Sequence, residues 1–183
     1  MLLGHLVGES GYVQAWEPAD FARDCLRRTV ELNGLEDRVE IVPAAASNVD
    51  VPDGGARLVQ ESATNLGAMS VAAHDAIGQP IGCARVVDLW HQRQPPDFLK
   101  IDIEGHEVQA WDGMEVLLAA PGRRAILLEY SPHRYAEPRS FLDRMKTCGY
   151  RINTLKGDGH PEAVTDLDAL ASKRDFELLW LEK

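Results

Sequence analysis

The chain has 183 residues, of which 45% are apolar and 26% charged, and its formal net charge is −10. That is about one domain's worth of sequence with ordinary globular composition, and without a basic run to hold a phosphate backbone it argues against a nucleic-acid partner. No apolar stretch approaches the ~20 residues of a membrane span, and Met1–Gly8 is too short and lacks the positive lead of a secretory signal, so a cytoplasmic protein without membrane contact is expected.

Met1 to Val7 reads as the end of a helix, closed by the turn composition Gly8-Glu9-Ser10-Gly11. Tyr12 to Trp16 follows as a short strand ending in Glu17-Pro18. Phe21, Ala22, Cys25, Leu26, Thr29 and Val30 then fall on one helical face, and Asn33-Gly34 closes that helix. Arg38 to Pro43 is a second strand, running into Ala44-Ala45-Ala46-Ser47.

From Asn48 to Gln94 the pattern weakens. Asp53-Gly54-Gly55 reads as a turn, with Ala56 to Gln60 and Met69 to Ala73 as the strands of a hairpin-like excursion. Gly78-Gln79-Pro80 reads as another break, Arg85-Val86-Val87 as a short strand, and Asp88 to Gln92 as a brief helix.

Phe98 to Ile103 is a strand of bulky apolar residues interrupted by Lys100 and Asp102, and Gly105 breaks it. Val108, Trp111, Met114, Glu115 and Leu118 mark one helix, ended by Pro121-Gly122. Ala125 to Tyr130 is a continuous apolar strand of the kind covered on both faces. Pro138 opens a helix carrying Phe141, Leu142, Met145 and Cys148, and Gly149 stops it. Tyr150 to Leu155 and Phe176 to Leu181 are the last two strands, with a short helix around Leu167 to Ser172 between them.

Strands alternating with helices predict one α/β domain with mostly parallel pairing. The last connection lacks a full crossover, so the final strand is expected to run antiparallel. Cys25, Cys83 and Cys148 are odd in number and far apart, with two on predicted helix core faces, and read as reduced thiols; no Cys/His spacing suggests zinc. Trp16, Trp90, Trp111 and Trp180 read as core.

Three acidic positions fall where strands end: Glu17, Asp102 with Glu104, and Glu129. In open α/β sheets, ligands bind outside the carboxyl ends of the strands. A carboxylate at Glu17 can accept from both hydroxyls of a ribose, or simply be a solvated strand end. Asp102, inside an apolar strand edge, is the harder one to explain structurally. His106 has the intrinsic pKa of a general base, although a surface His on a first helical turn is the simpler reading. Asp102 and Glu129 together have the oxygen chemistry of a magnesium site, but such pairs more often meet ligand hydroxyls or are structural, and no metal is assigned. His133 and Tyr135 fit either the same mouth or a plain loop.

Gly11-Tyr-Val-Gln-Ala-Trp-Glu-Pro18, Val30-Glu-Leu-Asn-Gly34, Phe98-Leu-Lys-Ile-Asp-Ile-Glu-Gly-His-Glu107 with Gly113, and Leu127-Leu-Glu-Tyr130 together resemble FkbM-type S-adenosylmethionine-dependent methyltransferases. The similarity runs in register over most of the chain, weakest over 48–84 and 156–174, and Lys-Ile-Asp-Ile-Glu-Gly-x-Glu is its most specific part. The resemblance implies a Rossmann-like methyltransferase sheet with an antiparallel last strand. It also implies S-adenosylmethionine as cofactor and methyl transfer to a hydroxyl oxygen of a small molecule or glycan. By the same resemblance Glu17 would hold the cofactor ribose, Ala45 and its neighbours would lie along the adenine, and Asp102 would sit near the transferring methyl. Glu104, His106 and Glu107 would shape the acceptor side, with Asp102, Glu104 and His106 as the catalytic set. Asn65, Gly67 and Ser70 match a loosely patterned segment placed near the acceptor, and Glu129 is counted with Asn65 and Glu107 as an acceptor contact.

The family's first strand and glycine-rich turn, of the type Asp-x-Gly-Ala-Asn-x-Gly, do not appear in this sequence. A strand, turn and half-helix of roughly 15–25 residues are expected upstream of a start that falls inside the first helix. Without that strand two sheet edges stay unpaired, which allows self-association, and the competing reading is a non-catalytic Rossmann-like module that binds a partner. A nicotinamide enzyme ranks last, for want of any G-x-G-x-x-G fingerprint.

Overall fold

The structure, a computed structural model, describes residues 2–60, 69–90 and 94–183. The chain divides into two compact units, Met1–Ala84 and Arg85–Lys183, each α/β.

The first unit begins with α1 (Leu2–Leu6), β1 (Val13–Trp16), α2 (Asp20–Leu32) and β2 (Val39–Val42). β1 and β2 pair in parallel from Val13↔Val39 to Trp16↔Val42. Their core gathers Val30, Leu35 and Val39 with the partly buried Val13, Leu26 and Ile41. Gly4 of α1 closes against this core, where an added Cβ would stand 3.0 Å from Leu35 Cδ1. The inward stripe of α2 runs through Ala22, Leu26 and Val30; Phe21 is 82% exposed and Cys25 is exposed, so neither lies on the core face predicted for them. Steps of four residues along Ala22, Leu26 and Val30 define a narrower stripe than the apolar pattern suggested.

The rest of this unit is a four-stranded sheet of β3 (Ala45–Ala46), β4 (Val51–Gln60), β5 (Met69–Ala73) and β6 (Gln79–Ala84), ordered β3-β6-β4-β5. β3 and β6 are parallel and the other pairs antiparallel. The hairpin of β4 and β5 was legible, but two expected breaks are strand. Asp53-Gly54-Gly55 lies inside β4, where the register with β6 shifts between Val51 and Ala56. A glycine with φ of 86° at Gly54 makes that bulge without ending the strand. Gly78-Gln79-Pro80 leads directly into β6, and Pro80 pairs only with Arg57 of β4, because β3 reaches no further than Cys83 and Ala84. A proline is tolerated there because no strand on the other side asks for its missing N–H.

The second unit contains α3 (Val86–Leu89), β7 (Phe98–Ile101), α4 (Glu107–Asp112), α5 (Glu115–Ala119) and β8 (Ala125–Tyr130). A 3-10 turn (Pro132–Arg134), α6 (Pro138–Thr147), β9 (Arg151–Leu155), β10 (Pro161–Ala163), α7 (Leu167–Ala171) and β11 (Glu177–Glu182) follow. The sheet order is β10-β9-β11-β8-β7. β7 and β8 are parallel, and β11 runs antiparallel to both β8 and β9, as expected of the final strand. The sheet is therefore mixed. β10 forms an unforeseen hairpin with β9.

Val86 starts a helix where a short strand was expected, with Arg85 as its extended N-cap. α3 also explains why the helix predicted behind Gly105 is two. The Gly113 carbonyl accepts from Val87 N–H at 3.2 Å rather than from the next helical turn, so α4 ends there and α5 restarts after Met114. Burial along β8 alternates: Ile126, Leu128 and Tyr130 are buried, while Ala125, Leu127 and Glu129 are half-buried. One face, not both, is fully covered, as the period of two allows.

Against the covered face packs an aromatic core. Trp111 meets Phe141 edge-on at 5.6 Å, and Tyr135 meets Phe141 edge-on at 5.5 Å. Trp111 is the only one of the four tryptophans that is fully buried; Trp16, Trp90 and Trp180 are half-buried. Arg124 and Lys183 close the end of α5. Arg124 Nη1 donates to Leu118 O at 3.0 Å, and Lys183 Nζ to Ala120 O at 2.9 Å and to Leu118 O. Cations there satisfy carbonyls that the helix leaves orphaned. Among the described residues no helix is long and apolar enough to cross a membrane.

Candidate functional site

In the second unit, the carboxyl end of β7 runs into a turn over Asp102 to Glu107 that a short set of contacts fixes. Glu104 has φ of 56°, the one positive value among described non-glycine residues, and Gly105 follows at 97°. A left-handed non-glycine residue costs on the order of 1–2 kcal/mol and persists where its surroundings hold it. Here Arg134 Nη1 donates to Glu104 O at 2.8 Å, and Arg134 Nη2 lies 3.3 Å from Glu104 Oε2. Glycine is required next, because an added Cβ on Gly105 would meet Arg134 Cδ at 3.0 Å in a backbone region hostile to side chains.

Glu107, on the first turn of α4, is only 1% exposed. Its Oε1 accepts from Ile103 N–H and from Gly105 N–H, both at 3.1 Å, and its Oε2 accepts from Tyr135 OH at 3.0 Å. Tyr135 OH in turn accepts from Ser131 N–H at 3.1 Å. A buried carboxylate is tolerable only with such partners. Glu107 was expected on the acceptor side; the structure turns it inward as the anchor of the turn. β7 stops at Ile101, short of the predicted Ile103, because Ile103 N–H is committed to this carboxylate rather than to a neighbouring strand.

Asp102 points outward and is paired with Lys100, Nζ to Oδ2 at 2.6 Å, with both side chains substantially exposed. An ion pair so exposed contributes little stability. It also supplies the structural account of Asp102 that the sequence lacked. His106 is half-buried at the N-cap of α4, and burial pushes its imidazole pKa down, so the neutral, proton-accepting form prevails at neutral pH. Glu129 sits on the half-buried face of β8. Burial first, then the negative charges of Asp102, Glu104 and Glu107, push its pKa up, with Lys100 opposing. The second unit thus brings Asp102 and Glu104 within electrostatic reach of Glu129 at the ends of two parallel strands, with His106 following in the same turn.

Arg134 and Tyr135, which brace this turn, carried no decisive signal. Both lie in a loop after β8, and nothing in the spacing marks them; Tyr135 appeared only as a residue of the mouth or of a plain loop. His133 beside them is exposed. A cavity of about 280 Å³ opens behind the turn, lined by Gly105, Gln109, Arg134, Tyr135, Ser140 and Arg144 among others.

In the first unit, Glu17 directly follows β1, and its backbone N–H donates to Val42 O at 3.1 Å. Its Oε1 accepts from Ala19 N–H at 2.8 Å at the entrance to α2. Ala45, expected along an adenine, is 5% exposed and belongs to an apolar core with Ala19, Ala56, Leu58, Ile81 and Cys83. Its methyl faces that core because β3 continues the sheet through its pair with Cys83. Ser70 is half-buried in β5 opposite Val59, whereas Asn65 and Gly67 lie outside the described residues. Among the described residues no group of three or more His, Cys, Asp or Glu side chains could hold a metal ion, and the three cysteines are free.

Two comparisons bear on this arrangement. The family model described as the methyltransferase FkbM domain matches residues 3–152. Among solved structures, the crystal structure of methyltransferase FkbM from Methylobacillus flagellatus KT is similar with a TM-score of 0.54 and 18% sequence identity. The match covers 98% of this chain and 39% of that one, so this chain spans well under half the length of its structural relative. At that identity the likeness speaks for the fold alone. No curated protein matches the chain.

Proposed function

This chain belongs to the FkbM methyltransferase family, and from that premise we propose that it takes part in transferring the methyl group of S-adenosylmethionine to a hydroxyl oxygen of a small molecule or glycan. The observation that carries the reading is the built turn at the end of β7. Asp102, Glu104 and His106 are carried there on a turn whose contacts hold one backbone conformation, and the first two act electrostatically on Glu129. In this reading the sheets follow the Rossmann-like methyltransferase plan, and the antiparallel β11 supports it.

The residues present suit the cofactor in part. Glu17 Oε1 is tied to Ala19 N–H, which orients the carboxylate and leaves Oε2 to accept from ribose hydroxyls. Asp102, exposed at its strand end, is assigned to the methionine end. S-adenosylmethionine supplies an already reactive methyl on a sulfonium, so the protein's share is chiefly to align donor and acceptor. The acceptor hydroxyl must also lose a proton. His106 is suited to take it on an imidazole nitrogen, being kept neutral by burial. Glu129, with its raised pKa, is suited to hold a proton or to accept a hydrogen bond from the acceptor.

Calorimetric titration of the 183-residue chain with S-adenosylhomocysteine tests this directly. Saturable one-to-one binding is expected; no heat at concentrations reaching about 1 mM, the weak limit of ordinary ligand sites, overturns it. A second reading, a non-catalytic module that docks a partner or a second copy, is favoured by one feature. β7 ends the order of its sheet and pairs only with β8 among the described residues. That reading predicts concentration-dependent association without ligand binding.

A further inference from the structure

The family match and the cofactor reading leave Arg134, Tyr135 and Ser131 without a role, yet these residues make the most directed contacts to the turn. We propose that Tyr135 and Arg134 are positioning residues that set the turn over Asp102 to Glu107 in the conformation that binds the cofactor, Tyr135 acting through Glu107 and Arg134 through Glu104. The proposal rests on the methyl-transfer reading and names the groups that enforce its geometry.

First, the turn is held in a conformation the backbone would not choose. Glu104 at φ 56° and Gly105 at 97° are successive left-handed residues. Second, the restraints reach both ends of that kink. Arg134 takes the carbonyl and the carboxylate of Glu104, while Glu107 Oε1 takes the N–H groups on either side of Glu104, those of Ile103 and Gly105. Third, Glu107 is itself fixed from outside the turn. Tyr135 OH donates to its Oε2, and that hydroxyl is oriented by Ser131 N–H, so the loop after β8 dictates the turn after β7. A carboxylate accepting three hydrogen bonds in a site only 1% exposed has no freedom to relax. Neither Tyr135 nor Arg134 need touch a ligand for this to matter, since small displacements of aligned groups are costly.

The test compares Y135F and R134K with Y130F in the full chain. Y130F is the matched control, because Tyr130 packs on Tyr135 in the same aromatic core but its OH donates to Pro138 O, at 2.9 Å, and not to the turn. S-adenosylhomocysteine affinity is read by calorimetry, thermal stability by melting, and the turn by the backbone amide resonances of Ile103 and Gly105. Y135F is expected to shift both resonances and to weaken binding at least about fivefold, the lower end of ordinary coupling between a remote group and a site. Y130F is expected to lower the melting temperature while leaving affinity and both resonances unchanged. Binding by Y135F within twofold of wild type overturns the proposal whatever the resonances do. So does an equal loss of affinity in Y130F, which would mean that general destabilisation is the cause. If Y135F does not fold, R134K carries the same comparison. Absence of binding by the wild-type chain is a different result: it removes the methyl-transfer reading, and the positioning role with it.

Discussion

Replacing Glu107 by Ala should destabilise the second unit by about 2–4 kcal/mol. The carboxylate accepts three hydrogen bonds, from Ile103 N–H, Gly105 N–H and Tyr135 OH. Each buried donor left unsatisfied costs roughly 1–3 kcal/mol. The three do not add in full. Ile103 and Gly105 are half-buried, so water can reach their amides, and Tyr135 OH keeps its bond from Ser131 and a longer one to Glu129 O at 3.4 Å. Removing the ion also removes the cost of burying it, which pulls the sum toward the lower half of the range. E107Q keeps an acceptor for both amides and should cost about 1–2 kcal/mol, less than E107A. Urea unfolding followed by circular dichroism measures the difference, and hydrogen exchange at Ile103 and Gly105 locates it. An E107A variant within about 0.5 kcal/mol of wild type, the usual scatter of surface substitutions, would refute the idea that this carboxylate anchors the turn.

Trp111→Ala, at a position with 0% exposure that meets Phe141 and Tyr150 edge-on, should cost about 3–5 kcal/mol by urea titration. Glu17→Ala should weaken S-adenosylhomocysteine about tenfold in calorimetry, as expected when ligand hydroxyls lose a charged acceptor, with only a small fall in melting temperature from the lost bond of Ala19 N–H. His106 has its folded pKa lowered from 6.5, so its contribution to stability is present above 6.5 and lost as pH falls through the depressed folded value; H106N should flatten the wild-type decline in melting temperature over that acid range. Glu129 shifts the other way. Its folded pKa is raised from 4.5, so its contribution is present below 4.5 and lost as pH rises through the folded value, and E129Q should gain stability over wild type at pH 7 but not at pH 4.

Much of the frame was legible because its signals are local. The strand just before Glu17, the span of α2 though not all of its inward face, Pro138 opening α6 and the antiparallel last strand all follow from residues a few positions apart or from a connection too short for a crossover. Misreadings cluster where a tertiary contact decides. Gly54 and Pro80 look like breaks, yet a bulge absorbs one and a vacant neighbouring position the other. Gly113 splits a helix only because Val87 captures its carbonyl. The candidate site divides in the same way. Asp102, Glu104 and Glu129 announced themselves as charges at strand ends and His106 by its intrinsic pKa, but that Glu107 faces inward depends on Tyr135, a residue 28 positions away along the chain. Ala45 gave no sign of lying in a core, because an alanine fits a pocket wall and a sheet interior equally well.

The placement of β11 has a consequence for how the second unit comes into being. β8 pairs on one side with β7, which precedes it, and on the other with β11, the last described element to be synthesised, so that Ala125 faces Glu182 and Tyr130 faces Glu177. At ordinary elongation rates of about 5–20 residues per second, a strand carrying Ile126, Leu128 and Tyr130 waits several seconds on the ribosome before its second neighbour exists. β9 waits for the same strand. Through that interval the sheet is two fragments with adhesive edges, and its assembly is one late insertion rather than a stepwise growth. A factor that shields nascent strands should therefore matter more to the yield of this protein than to its final stability.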